Sequence, residues 1–153
     1  MGSGAREFFE GVRAAQRLID GALARLSAMR EREGARSQSY GAVGGGRACG
    51  DGMRAVDARL DYEASVREEM DGFRAEVERG RRVCAGVRAA NPGQRWADAL
   101  ELRFIECLSW QQVANALSCS IRQAQAWSSA GCDWVDSVGL SLAEQGMGQA
   151  QPF

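Results

Sequence analysis

At 153 residues, of which 45% are hydrophobic, the chain is long enough for one buried core and an extension. It holds nineteen arginines, no lysine and twenty acidic residues, and its formal net charge of −1 gives no general attraction to a nucleic acid. The absence of histidine removes the usual general base and the commonest zinc ligand, so no catalytic centre, metal site or cofactor is expected.

After a short flexible start at Met1–Gly4, the spacing predicts a helix from Ala5 to Glu33. Phe8, Val12, Ala15, Ile19, Ala22, Leu26 and Met29 recur at alternating steps of 4 and 3, a strict a/d seam. Phe9, Leu18 and Leu23 widen the stripe, as for a helix with more than one neighbour. The seam should bury against the next helix of the same chain or against another copy, so a homo-oligomer through these helices is one expectation. Arg6, Arg13, Arg17, Arg25, Arg30 and Arg32 lie on the other face, which reads as a solvated surface before it reads as a phosphate-binding strip.

Residues 34–50 read as a Gly/Ser-rich linker with the run Gly44-Gly45-Gly46. No Gly-Lys-Ser/Thr follows and no strand precedes, so the run is a flexible connector and not a phosphate cradle. A second long helix is expected over 51–90. Met53, Val56 and Leu60 begin its seam; Met70, Phe73, Val77, Cys84 and Val87 resume it in a shifted phase around Val66. At 1.5 Å per residue it would be about 60 Å long. Gly72, Gly80 and Gly86 each weaken it by up to ~1 kcal/mol relative to alanine, and each is a place for a bend or break. Asn91-Pro92-Gly93 ends it.

A third helix is expected from Gln94 to Glu106 or Cys107, with Trp96, Leu100, Phe104 and Cys107 on its core side. It should pack across a helix-turn-helix. Ser109 is an N-cap candidate, and Trp110, Val113, Ala114 and Leu117 line one face of the short helix that follows. Ser118-Cys119-Ser120 is the turn, and Ser120 a second N-cap. Ile121, Ala124 and Trp127 should face inward, with Gly131, Trp134 and Val138 keeping the phase. Arg122, Gln123, Ala126 and Ser129 then point outward, where such a helix enters the major groove of double-stranded DNA. Arg122 suits guanine, and Gln123 or Gln125 suits adenine. Gln111 and Ser120 complete the candidate DNA contacts. The helix-turn-helix domain spans 94–138, and 139–153 reads as a disordered, Gln- and Gly-rich tail. The predicted fold is all-α: a long helical hairpin or coiled-coil arm, then a three-helix domain.

The string Arg103-Phe104-Ile105, Leu108-Ser109-Trp110-Gln111-Gln112-Val113-Ala114, Ser120 and Arg122-Gln123-Ala124 resembles sigma-factor region 4. It is most similar to the phage-encoded regulators of the ArpU/RinA type, which show Arg-Tyr-Ile, Gly, Ser-Trp-Glu-Glu-Ile-Ala, Ser, Arg-Gln-Val and a further Arg at these places. The resemblance is strongest over Leu102–Trp127. It departs at Cys107, where the family prefers Gly, so the turn before Ser109 must form without easy access to positive φ. It departs also at Gln111-Gln112, where the family has two acids, and at Ala126, where it has a basic residue. The resemblance implies a transcriptional regulator of phage or prophage origin, with host RNA polymerase as a further partner.

The charge is uneven. Residues 94–153 carry three arginines against six acids, a net −3, whereas 1–50 carry eight against five, a net +3. Phosphate neutralisation supplies non-specific DNA affinity, so the C-terminal module alone should bind poorly. A dimer, the Arg-rich first helix or a polymerase bound alongside are three ways to supply the missing contacts. Cys49, Cys84, Cys107, Cys119 and Cys132 form no C-x-x-C and are odd in number, which predicts reduced thiols. No apolar leader or span of ~20 apolar residues occurs, so a bacterial cytoplasmic location without membrane contact is expected. Two other functions stay open: a DNA-recognition subunit of phage packaging of the small-terminase type, and a helical adaptor that no longer touches DNA.

Overall fold

The seam at the start of the chain folds as one long helix, α1 (Ser3–Tyr40), followed by a second, α2 (Cys49–Ala90). Then come α3 (Trp96–Leu100), a π-helical segment (Glu101–Ile105), α4 (Trp110–Leu117), α5 (Ile121–Val138) and α6 (Leu140–Glu144). This computed structural model describes residues 3–40 and 49–146, and among them the fold is all-α, with no β-strand. The expected run Gly44-Gly45-Gly46, the side chain of Met53 and the end of the tail lie outside the described residues.

Several boundaries differ from the sequence reading. α1 passes through Gly34 to Tyr40, because a single helical glycine costs only ~1 kcal/mol and no proline intervenes. α2 is helical through Gly72, Gly80 and Gly86. The third helix is not uniform: at Glu101 the α-pattern widens, and the Glu106 N–H reaches the Glu101 carbonyl at 2.9 Å, five residues back. The stretch expected to be a disordered tail includes α6, whose Ala143 is fully buried.

The chain divides into two compact units: residues 1–17 with 73–153, and residues 18–72. The first unit holds more than the expected 94–138 domain. Phe9, Val12, Val83, Val87, Leu100, Val113 and Val135 are all nearly or fully buried in it. Phe9 lies 5.5 Å from the Phe104 ring, and Asp136 accepts from the Ala5 N–H at 2.8 Å, satisfying a free amide in the first turn of α1. Two glycines of α2 mark close approaches. A Cβ on Gly80 would sit 2.9 Å from Val12 Cγ1, and one on Gly86 would sit 1.6 Å from the Ala143 carbonyl oxygen. These glycines therefore serve packing, which explains helix-weakening residues in the middle of α2. Arg79 pairs with Glu144 and ties α6 to the same place.

In the second unit Ile19, Leu26, Val66 and Met70 are buried, while Ala22 and Met29 of the seam are half-buried. Leu18 and Leu23, expected to widen the stripe, are 54% and 47% exposed, and Leu60 is 49% exposed. This unit offers α1 one neighbouring helix, and one neighbour covers only a narrow stripe. Arg59 links Glu33 at 2.7 Å and Glu63 at 3.0 Å, and Arg30 reaches Glu63 at 2.9 Å. The bond to Glu33 raises the Arg59 pKa, and the bond to Arg30 lowers that of Glu63.

Candidate functional site

The segment from Cys107 to α5 is shaped by local chemistry. Ser109 accepts from the Gln112 N–H at 3.2 Å, and the Gln112 side chain accepts from the Ser109 N–H at 2.9 Å. This reciprocal pair is a capping box, and a glutamine fills its second place as well as an acid does. Ser118 closes α4 in the left-handed region, at φ 53°. The Cys119 N–H reaches back to the Ala114 carbonyl at 3.0 Å, and the Ser118 N–H to that of Asn115 at 3.3 Å, the two bonds of a Schellman motif. Ser120 then caps α5 by accepting from the Gln123 N–H at 3.1 Å.

Beneath this turn Ala99, Val113, Leu117 and Ala124 are buried together, flanked by Leu102, Leu108, Trp110, Cys119 and Trp127. Gly131 lets α3 approach α5, since a Cβ there would lie 2.8 Å from Leu100 Cδ1. The turn before Ser109 does use positive φ, contrary to the sequence reading: Cys107 itself adopts φ 58°. Its thiol lies 3.8 Å from the carbonyls of Arg13, Phe104 and Ile105, contacts that hold the residue in this strained region.

Two arginines brace α4, and sequence reading missed both roles. Arg95 donates to the Leu117 carbonyl at 2.9 Å, at the negative end of the α4 dipole, and lies 5.8 Å from the centre of the Trp127 ring. Arg103 donates to the Leu108 carbonyl at 3.0 Å and stacks 4.7 Å over Trp110. Burial, and after it the like charge of Arg13, lowers the Arg103 pKa. Arg95 lies 22 residues from its carbonyl partner, and no local pattern announces such a contact.

Among the residues singled out as outward-facing, Gln111, Ser120, Arg122, Gln123, Gln125 and Ala126 are exposed. Gln111 donates to Asn115 at 3.0 Å, and the Ser120 hydroxyl is occupied by its cap. Arg122 makes no ion pair or hydrogen bond among the described residues. Ser129 differs: it is half-buried and accepts from Arg6 of α1 at 3.5 Å. The inner stripe of α5 drifts from Ala124 to Ser128, Gly131, Cys132 and Val135, so Ile121 is 38% exposed and Trp127 only half-buried. Of the three residues expected to face inward, Ala124 is buried, Trp127 packs against the buried cluster and Ile121 is exposed. A helix that packs against α3 and α6 as well as α4 rotates its buried face along its length.

A cleft of about 350 Å³ opens beside α5, lined by Arg6, Glu10, Arg103, Phe104, Trp110, Gln125, Ser128 and Ser129. The whole unit that contains it carries eleven arginines against ten acids, a net +1 where 94–153 alone is −3. Cys84 and Cys132 are buried, and burial pushes both thiols up, Cys132 to about 11, so neither supplies a thiolate at neutral pH. Among the described residues no group of three or more His, Cys, Asp or Glu could hold a metal ion, and no helix is long and apolar enough to cross a membrane. In comparisons with known proteins, no family model, no curated protein and no solved structure matches the chain.

Proposed function

We propose that α4 and α5 form a helix-turn-helix that binds double-stranded DNA through the major groove, in a phage-encoded transcriptional regulator of the sigma-region-4-like, ArpU/RinA type. The observation that carries this reading is the row Arg122, Gln123 and Ala126. It is exposed on the first turns of α5 and set there by the Ser120 cap, with the buried Ala124 against α4 behind it. Base contacts in such a fold come from the N-terminal part of the second helix, and these three residues occupy it. Arg122 is unpaired and suited to guanine; Gln123 and Gln125 are suited to adenine. The net +1 of the whole unit also supports the reading, since residues 73–93 add a net +3 and residues 1–17 a net +1 to the −3 of the C-terminal segment. Host RNA polymerase is the partner that the resemblance adds, and the bacterial cytoplasm is the setting. Association of copies through the arm would double the DNA contacts.

The test is selection of binding sites by the full chain from a pool of randomised duplexes, followed by titration of the enriched site. Arg122→Ala should remove ~1–3 kcal/mol of discrimination at one base pair. Ala126→Arg should raise affinity mainly for unrelated duplexes, through one added phosphate contact. A parent chain that enriches no sequence and binds no duplex at low salt would replace this reading with the helical-adaptor one.

A further inference from the structure

We propose that Arg6 and Arg103, which both line the cleft beside α5, hold one phosphate of the DNA backbone. This rests on the DNA-binding reading above and adds α1 to the contact surface. The cleft shares Gln125 and Ser129 with the residues singled out as DNA-facing, so a group seated in it lies along the flank of α5. Neither guanidinium is neutralised: among the described residues, neither Arg6 nor Arg103 has an ion-pair partner. Arg6 reaches only a hydroxyl, that of Ser129, at the long distance of 3.5 Å. Arg103 commits one nitrogen, Nη1, to the Leu108 carbonyl, and the Trp110 ring fixes its plane.

Positive charge is also concentrated there. Arg13 and Arg17 of α1 act on Arg103 as like charges, with Glu10 opposing them, and Nε of Arg13 is buried without a hydrogen-bond partner. Glu10 is the carboxylate in the lining, and Asp133 and Asp136 lie on the neighbouring stretch of α5. A phosphate group has oxygens that accept from both guanidiniums and supplies the negative charge that neither has in an ion pair, whereas an uncharged ligand supplies none. A half-open cleft lets a phosphate on a continuous strand enter, with no need to enclose the ligand.

The experiment titrates the full chain against a mixed-sequence duplex at several salt concentrations. Arg6→Ala is expected to weaken binding alike on every duplex and to lower the slope of log K against log salt by about one unit. Arg6→Lys, which keeps the charge, should restore the slope, and an unchanged melting temperature shows that the fold is intact. A parent that binds DNA and an Arg6→Ala variant with the same slope would overturn the phosphate contact while leaving the DNA-binding reading in place. Loss of discrimination at one base pair would overturn it too, because the contact would then be to a base. Inorganic phosphate that binds tightly, with a change in tryptophan fluorescence that is lost in Arg6→Ala as the signal, while Arg6→Ala leaves DNA binding unchanged, would make the cleft a small-anion site and overturn the proposal. If the parent binds no duplex at all, the DNA-binding reading falls, and the phosphate contact with it.

Discussion

Ser118 is the residue at which one atom-scale change has a calculable effect. It ends α4 at φ 53°, ψ 48°, with its side chain exposed. Holding a residue with a Cβ in this region costs roughly 1–2 kcal/mol, because the Cβ crowds the following carbonyl. Glycine escapes that penalty but loses more freedom on folding, which returns about 0.5–1 kcal/mol. Ser118→Gly should therefore stabilise the first compact unit by about 0.5–1 kcal/mol. For a chain of this size that is a rise of about 1–4 °C in melting temperature. Ser118→Val, with a branched Cβ at the same φ, should move the other way. Thermal melts of both variants, followed by helix ellipticity and by tryptophan emission, give the sign and the size. A glycine variant that melts below the parent would refute the argument, since it would mean that the serine is not strained where it stands.

Arg95→Ala removes the bond to the Leu117 carbonyl and the stacking on Trp127; at this exposed position it should cost about 1–2 kcal/mol, read by melting and by a shift in tryptophan emission. Gly86→Ala should strengthen α2 locally by up to ~1 kcal/mol but push α6 away, because its Cβ would overlap the Ala143 carbonyl. Hydrogen exchange should then accelerate in α6 while the core of α2 stays protected; slow exchange in α6 would contradict the packing. The Glu63 carboxyl is held below its ordinary value of 4.5, first by its bond to Arg30. Its contribution is thus complete above that ordinary value and fades as pH falls through the lowered one. Urea melts between about pH 6 and pH 3 should show a shallower acid loss for Glu63→Gln than for the parent, and parallel curves would remove Glu63 from the account.

Local chemistry was legible in the sequence, and long-range packing was not. All-α character follows from seams of period near 3.5, which can be counted without coordinates. The caps at Ser109 and Ser120 involve partners three residues away, so their signals are local too. The role of Arg95 was hidden, because a guanidinium that meets a carbonyl 22 residues away resembles any surface charge, and that of Arg103 because no turn or cap pattern marks its bond to the Leu108 carbonyl. Leu18 and Leu23 matched an apolar stripe, yet exposure depends on how many helices are present to cover it. Gly86 read as a weakness of α2, since nothing near it in sequence announces that α6 packs there. Cys107 shows the limit of residue preference: glycine is the easy choice at positive φ, and a cysteine surrounded by carbonyls holds the same conformation.

The first compact unit takes its opening piece from residues 1–17 and the rest from 73–153, which sets a timetable for synthesis. When the first turns of α1 leave the ribosome, Phe9 and Val12 have nothing to cover them. Phe104, the ring beside Phe9, is made 95 residues later, and Asp136, which receives the Ala5 amide, 131 residues later. At elongation rates of about 5–20 residues per second, that wait is on the order of ten seconds. During it Phe9 and Val12 stay without the partners that bury them in the folded unit. The unit that carries α4 and α5 can therefore close only after Asp136 has been made, and a pause in the intervening stretch would prolong the exposure of its earlier segment.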